Sequence, residues 1–184
     1  MFQKLLKKVA NELSKLKIPY MVIGGQAVLL YGEPRLTRDI DITVGITPES
    51  LETLKQVIKK CKLEIIVDDA EDFVKKTFVL PAMDNKSGIR VDFIFSFSNY
   101  EKEALERARI IKFGNVPIRF ASLEDVVIHK IIAGRPRDFE DVKSILLKNP
   151  DYEKNYIYRW LQEFNHSLDE NFFKILKEIE DRIK

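Results

Sequence analysis

Two aspartates, one residue apart, interrupt an otherwise apolar segment, DIDITV, at residues 39–44. Because side chains alternate between the faces of a strand, Ile40 and Ile42 project to one face and Asp39 and Asp41 to the other. Neighbouring carboxylates raise each other's pKa and destabilise a strand unless a cation lies between them. Carboxylates on a rigid strand suit a hard divalent cation such as Mg²⁺ or Mn²⁺. The segment therefore predicts a strand carrying part of a metal site, the alternative being a solvent-exposed strand face.

A third aspartate stands in a second apolar strand, IRVDFIF, at residues 89–95. Burying Asp92 there without a partner is very costly, so its carboxylate needs a cation or a polar neighbour. If this strand lies beside the first, the three carboxylates together can hold two metal ions roughly 3.5–4 Å apart, the arrangement used for in-line displacement at phosphorus. Asp92 would then also accept the proton of an attacking hydroxyl group.

Upstream, Gly24 and Gly25 separate a short buried strand from the apolar helical segment QAVLLYG. Glycines let a phosphate approach the backbone, and the N-terminus of a helix offers unpaired N–H groups. The alternative is a purely structural tight turn. If the strand that carries the aspartates begins near Arg35, then Arg35 and Thr37 project from the same face as Asp39.

The composition indicates a globular protein: 45% of the 184 residues are hydrophobic, 33% are charged, and the formal net charge is +2. These values exclude a disordered chain and a strongly basic protein that coats nucleic acid, although a local basic cleft stays compatible with them. A single cysteine, Cys61, excludes a disulfide framework and a thiolate metal cluster. The N-terminal helical stripe is interrupted by lysines, so we expect neither a signal peptide nor a membrane span, and we predict a cytoplasmic protein.

The pattern along the chain changes near residue 121. Before it, strands alternate with helices, which we predict at residues 2–16, from Thr47 to Cys61 and over 99–110. After it, every segment has helical periodicity. We therefore predict a mixed α/β (α+β) lobe over residues 1–121, with a helical C-terminal lobe over 122–184 packed against it, and a ligand cleft between them.

The stretch GGQAVLLYGEPRLTRDIDI, followed by VDF at residues 91–93, resembles the polymerase-β-type nucleotidyltransferase superfamily. Within it, the sequence is most similar to the AbiEii-like branch, which includes toxins of bacterial toxin–antitoxin systems and MenT-like enzymes. The later stretch SLEDVVIHKIIAGRPRDFEDV resembles that branch through Lys130 and an Arg…Asp-x-x-Asp element. The resemblance spans about residues 20–145. One departure is Gln26, which stands where the superfamily often has a serine.

The resemblance implies the nucleotidyltransferase fold, a mixed sheet flanked by helices. It also implies transfer of a nucleoside monophosphate from a nucleoside triphosphate (NTP) to an acceptor hydroxyl. Its metal-binding, catalytic residues would be Asp39, Asp41 and Asp92, with Mg²⁺ or Mn²⁺ as cofactor. Its nucleotide-binding residues would be Gly24, Gly25, Arg35, Thr37, Lys130, Asp138 and Asp141. Asp138 and Asp141 would recognise the base or ribose, or would position Lys130 and Arg135. The alternative is a set of salt bridges between the lobes that includes Arg137.

Several functions stay open from the sequence. The acceptor would be the 3′ end of a tRNA if the chain is an AbiEii-like toxin, and a cognate antitoxin would then be a partner. It would be a small molecule or a protein side chain if the enzyme modifies antibiotics or proteins. A third alternative is a non-catalytic nucleotide sensor that keeps the fold and the ligand site.

Overall fold

The computed structural model describes residues 2–183, so residues 1 and 184 of the two predicted lobes lie outside it. The strands are β1 (Tyr20–Ile23), β2 (Asp39–Val44), β3 (Glu64–Ile65), β4 (Val79–Asp84), β5 (Ile89–Phe95), β6 (Arg109–Phe113) and β7 (Val116–Phe120). The helices are α1 (Phe2–Lys15), α2 (Gly24–Tyr31), α3 (Leu51–Cys61), α4 (Ala70–Thr77), α5 (Asn99–Arg107), α6 (Leu123–Ala133), α7 (Pro136–Lys148), α8 (Lys154–Leu168) and α9 (Phe172–Ile183).

The strands form one mixed sheet in the order β3-β4-β5-β2-β1-β7-β6. β2 runs parallel to β5 and antiparallel to β1, and β1 runs parallel to β7. The remaining pairs are antiparallel. This arrangement confirms the predicted mixed α/β fold and the predicted neighbourhood of the two aspartate strands.

Apolar residues that alternate along β2 and β5 fix which face of each strand is buried. Ile40 and Ile42 are fully buried, as are Val91 and Phe93, which lie opposite them in the register. A slip of one residue would bury the aspartates instead, so the hydrophobic pattern specifies the register strongly. The carboxylates consequently share the other face of the sheet.

Helices α2 and α6 provide the remaining walls of the region above that face. α2 packs against β1 and β2, and α6 packs against α2 and against the other C-terminal helices. From Leu123 to Ile183 the described chain is helical apart from short connections, in agreement with the predicted change of character. The division of the protein into two lobes at this point stays a prediction. No helix within residues 2–183 is long and apolar enough to cross a membrane.

Two predicted helices begin or end elsewhere. The helix expected to reach residue 110 ends at Arg107, because the next residues form β6 and pair with β7 around a turn at Gly114, which has a φ of +62°. Downstream of Thr47, a short 3₁₀ turn over Pro48–Ser50 precedes α3. In both places pairing or turn formation overrides the local helical pattern.

Candidate functional site

Asp41 and Asp92 lie directly opposite each other on the parallel neighbours β2 and β5. Their Cα atoms are therefore about one strand spacing, roughly 4.8 Å, apart, and both side chains project from the same face. Asp39 lies two residues earlier on β2, on that face too. On the other side of Asp41, the register places Ile23, the last residue before α2. The fold thus brings together the three predicted carboxylates and the glycine pair.

These residues line a cavity of about 370 Å³ between the sheet and the C-terminal helices. Every predicted site residue except Thr37 and Asp141 lines this cavity. Two arginines that were not predicted as site residues line it as well. Its lining residues are Gly24, Gly25, Arg35, Asp39, Asp41, Asp92, Lys130, Arg135, Arg137 and Asp138.

Asp41 is the carboxylate most perturbed by its surroundings. Burial raises its pKa to about 6, and the charges of Asp39 and Asp92 act in the same direction, while Lys130 and Arg135 oppose them. The carboxylate of Asp92 instead accepts a hydrogen bond from Arg90 Nε at 2.8 Å. Asp41 is therefore a group whose charged form needs an additional cation.

The donor chemistry of the three aspartates fits a hard divalent cation, because such ions take oxygen ligands and would offset the carboxylate charge that raises the pKa of Asp41. Within residues 2–183, no group of three or more His, Cys, Asp or Glu side chains has the arrangement of a metal site. The carboxylates therefore suit the metal chemically, and metal binding belongs to the proposal below.

Gly24 opens α2 in the left-handed conformation, with a φ of +63°. A Cβ at this position would overlap the carboxylate of Asp41, so only glycine lets the helix start and the aspartate come this close. A glycine is needed at position 25 for a similar steric reason, since a Cβ there would overlap the Thr37 side chain. The N-cap residue Ile23 provides no side-chain hydrogen bond, which leaves the first N–H groups of α2 available to an anion.

Replacing Gly24 with alanine should reduce activity at least a hundredfold, because the new methyl group displaces the Asp41 carboxylate. It should also lower the free energy of unfolding by about 1–2 kcal/mol through the left-handed backbone. Gly88→Ala is the matched control, since Gly88 has a φ of +67° but nothing within 4 Å of its Cβ position. Urea unfolding should show a stability loss in both variants, at least as large in Gly24→Ala because of the overlap with Asp41. Steady-state kinetics should show an activity loss in Gly24→Ala alone. Equal activity in both would contradict the steric role of Gly24.

Lys130 forms the centre of an ion-pair network between α6 and α7. Its Nζ lies 2.6 Å from Asp138 Oδ1 and 3.1 Å from Asp141 Oδ2, and the lysine is only 5% exposed. Arg135 Nε lies 2.6 Å from the second oxygen of Asp138. The pKa of Asp138 is lowered, because the hydrogen bonds from Arg135 and Lys130 outweigh its burial. Charge pairing thus satisfies the two aspartates three residues apart on α7.

We expected Arg35 and Thr37 on the same strand face as the aspartates. This is wrong, because β2 begins only at Asp39. They belong to a loop in which Leu36 is 77% exposed. Arg35 Nε lies 3.0 Å from Asp141 Oδ1, which joins this loop to the ion-pair network. Thr37 accepts a hydrogen bond from Gln26, so the residue that departs from the superfamily pattern orders the loop.

Two cavity residues, Arg135 and Arg137, were predicted as possible partners of Asp138 and Asp141 but not as site residues. Arg135 is the N-cap of α7, and its side chain is 71% exposed. The sequence feature that could have indicated them is the segment RPR before Asp138. This segment is equally typical of the start of a helix with internal salt bridges. Only the position of α7 beside the aspartates shows that these cations face the cavity.

Comparison with protein families gives a match over residues 1–180 to a family described as "Nucleotidyltransferase of unknown function (DUF6036)". No curated protein matches the chain in sequence. Solved structures with the same fold include the antibiotic-resistance factor ANT(2″)-Ia, with 15% identity, a TM-score of 0.60 and coverage of 97% of this chain and 96% of that chain.

Two further structures are similar. The lincosamide antibiotic adenylyltransferase LnuA, solved with bound lincomycin, has 18% identity and a TM-score of 0.53, with 77% of this chain and 94% of that chain covered. An antigenic nucleotidyltransferase-like protein from Paracoccidioides brasiliensis has 17% identity and a TM-score of 0.55, with 92% and 90% covered. At these identities the structures establish the fold, and the family match establishes membership. The chain therefore belongs to the DUF6036 family of nucleotidyltransferases and is a transferase enzyme.

Proposed function

We propose that the protein transfers a nucleoside monophosphate from an NTP to an acceptor hydroxyl and releases pyrophosphate. The observation that carries this proposal is the register of β2 and β5, which puts Asp41 beside Asp92 in a cavity that also contains cations and the N-terminus of α2. Carboxylates and cations then meet in one space, as a phosphate substrate with a divalent metal requires.

In this proposal Asp39, Asp41 and Asp92 hold Mg²⁺ or Mn²⁺. The metal, when bound, would offset the negative charge of the phosphates and of the transition state. Asp92 also accepts the proton of the acceptor hydroxyl as its oxygen bonds to the α-phosphorus. The bond between the α-phosphorus and the bridging oxygen breaks, and pyrophosphate leaves. Catalysis consists mainly of positioning and charge stabilisation.

The backbone N–H groups that begin with Gly24 and Gly25 and the side chains of Arg135 and Arg137 would bind the triphosphate. Lys130 lines the same cavity and adds positive charge there, but its ammonium group is already bound to Asp138 and Asp141. Arg135 also pairs with Asp138, through its Nε, but its side chain is 71% exposed, so other N–H groups of its guanidinium can reach a phosphate. We therefore assign the most direct phosphate contact to Arg135, and to Lys130 the additional role of holding α6 and α7 together. Arg35 and Thr37 order the loop beside the nucleotide.

Replacing Arg135 with alanine should raise the KM for the NTP about ten- to a hundredfold, since a charge-assisted hydrogen bond to phosphate contributes about 1.5–3 kcal/mol. The free energy of unfolding should fall by only about 1 kcal/mol, because the Arg135 side chain is mostly exposed and the buried Asp138 keeps its ion pair with Lys130. Steady-state kinetics with varied NTP gives the first value and urea unfolding the second. Arg38→Ala is the control, because Arg38 is exposed and outside the cavity lining. An unchanged KM in Arg135→Ala would contradict the assignment.

Two acceptor classes are supported by different arguments. The resemblance to AbiEii-like toxins favours the 3′ end of a tRNA, with a cognate antitoxin as partner. The shared fold with LnuA, an antibiotic adenylyltransferase, favours the hydroxyl of a small molecule. A non-catalytic sensor is disfavoured, because the chain belongs to a nucleotidyltransferase family and because all three carboxylates and the cations of the cavity are present together.

The acceptor class can be tested with each of the four NTPs labelled at the α-phosphate. The protein is incubated with the labelled NTP, Mg²⁺ and one acceptor pool at a time. The three pools are total tRNA, a small-molecule extract and a protein extract. Transfer of the label to tRNA supports the hypothesis of an AbiEii-like toxin. Transfer to a small molecule or to a protein supports the alternative acceptors. Saturable NTP binding without transfer to any pool would contradict catalysis and favour the sensor.

A further inference from the structure

A second cavity, of about 720 Å³, lies where β2 and β5 end, away from the three aspartates. Gly45 and Ser96, the residues directly after those strands, both line it. Gly45 is four residues beyond Asp41, which corresponds to about 13 Å along an extended strand. The two cavities have no lining residue in common. A ligand in this second cavity would therefore not occupy the nucleotide site.

The floor of this cavity is apolar. Ile18 and Leu105, which are only 5% and 7% exposed, line it together with Pro19 and Ile46. At its edge Phe97 is 50% exposed and packs against Phe78 in a tilted arrangement, with a distance of 4.7 Å between the ring centroids. Half-exposed aromatic rings beside a concave apolar floor favour binding of a hydrophobic group.

Three cations surround that floor: Lys17, Lys102 and Arg119. None of them forms an ion pair with a carboxylate of residues 2–183. Arg119 donates one hydrogen bond, at 3.0 Å, to the backbone oxygen of Leu105. Glu106 is the single carboxylate of the lining, so the cavity carries an excess of positive charge.

We propose that this cavity binds a small organic anion, in which a carboxylate, sulfonate or phosphate group is attached to an aromatic or aliphatic body. The anionic group would lie near the three cations, and the apolar body would cover Ile18, Ile46 and Leu105. The volume lies within the roughly 300–1,000 Å³ of small-molecule sites. This binding site is independent of the nucleotidyl transfer proposed above.

The fluorescent probe 8-anilinonaphthalene-1-sulfonate tests the proposal, because it combines an aromatic body with one sulfonate. Its uncharged counterpart, N-phenyl-1-naphthylamine, has the same body without the anion. Fluorescence titration of the folded protein should show saturable one-to-one binding of the sulfonate. Binding of the uncharged probe should be at least about tenfold weaker, a difference of about 1.4 kcal/mol. Inorganic phosphate, which has no apolar body, should compete only weakly.

Charge-reversal variants then locate the site. The double variant Lys17→Glu/Lys102→Glu should weaken sulfonate binding at least about tenfold and leave binding of the uncharged probe unchanged. The matched control is Lys4→Glu/Lys86→Glu, which changes the net charge equally at two lysines of a different cavity. In NMR spectra of the unmodified protein, the amide signals of Gly45 and Ser96 should shift with the probe, and those of Gly24 and Gly25 should not.

Three results would overturn the proposal. The first is equal affinity for the charged and uncharged probes, which would remove the role of the cations. The second is an equal loss of affinity in the control variant, which would reduce the effect to net charge. The third is the absence of saturable binding at this cavity, whether the probe does not bind at all or shifts only the amide signals of the aspartate cavity.

Discussion

The substitution Asp41→Asn is expected to reduce nucleotidyl transfer at least a thousandfold while making the metal-free protein more stable at alkaline pH. The activity falls because the asparagine removes a charged oxygen ligand from the position between Asp39, Asp92 and Gly24. The stability rises because the variant removes a partly buried charge that lies beside two other carboxylates. A mutation that merely disrupted the fold would lower activity and stability together.

The pH dependence of this stability gain follows from the raised pKa of Asp41. In the folded state that pKa is about 6, above its ordinary value of 3.8, so ionisation of Asp41 destabilises the fold as the pH rises through this interval. At pH 4 the carboxyl is largely protonated in the folded protein, and the variant should have nearly the same stability as the parent. At pH 8 in EDTA the variant should be about 1–3 kcal/mol more stable in urea unfolding.

Mg²⁺ provides a further readout of the same residue that does not depend on catalysis. Addition of Mg²⁺ at pH 8 should stabilise the parent protein and should stabilise Asp41→Asn much less, since a ligand that binds only the folded state raises its stability. The variant Asp72→Asn is the control for a non-specific charge effect, because Asp72 is exposed and pairs with Lys76 at the surface. Equal stabilisation of all three proteins by Mg²⁺ would argue against a metal at Asp41.

The substitution Lys130→Met is expected to have the largest effect on stability, a loss of about 3–5 kcal/mol. It removes the cation that lies between Asp138 and Asp141, both of which are buried, and so leaves each carboxylate with a single arginine partner, Arg135 or Arg35. Lys76→Met is the matched control, because its ion pair with Asp72 is exposed and should contribute less than about 1 kcal/mol. Urea unfolding at pH 7 measures both values.

A compensating change separates charge pairing from side-chain packing at Lys130. In the double variant Lys130→Met/Asp138→Asn one of the two carboxylates loses its charge, so we expect a substantial part of the lost stability to return. If the double variant is as unstable as the single one, the hydrocarbon packing of Lys130 matters more than its charge. A stability loss below 1 kcal/mol in Lys130→Met would contradict the central place of this lysine in the network.

The common face of Asp39, Asp41 and Asp92 could be predicted because two local sequence patterns indicate the same arrangement. Apolar residues alternate with the aspartates in DIDITV and in IRVDFIF, and this period of two fixes which face each carboxylate occupies. That the two strands are neighbours does not follow from this alternation; it is what the resemblance to the nucleotidyltransferase superfamily implies. The register confirms this neighbourhood, with Asp41 opposite Asp92. The function of the three carboxylates stays a prediction.

The sequence left the pairing of Lys130 with Asp138 and Asp141 open as one alternative, and the structure shows it. The partner of Arg35 could not be predicted, because it depends on how separate elements pack. Asp141 is 106 residues from Arg35, and no local pattern joins them. The assumed strand start at Arg35 was wrong for a related reason. The stretch before Asp39 is ordered by Gln26 and Asp141 from other elements and not by strand pairing.

The most direct test of nucleotidyl transfer compares ATP labelled at the α-phosphate with ATP labelled at the γ-phosphate, together with the other three NTPs in the same two forms. With Mg²⁺ and the acceptor pool, the α-label should become bound to the acceptor and the γ-label should appear in pyrophosphate. Asp41→Asn should do neither. Transfer of the γ-label to the acceptor would show phosphoryl transfer instead. Retention of both labels in the NTP with every acceptor pool would contradict the proposed activity.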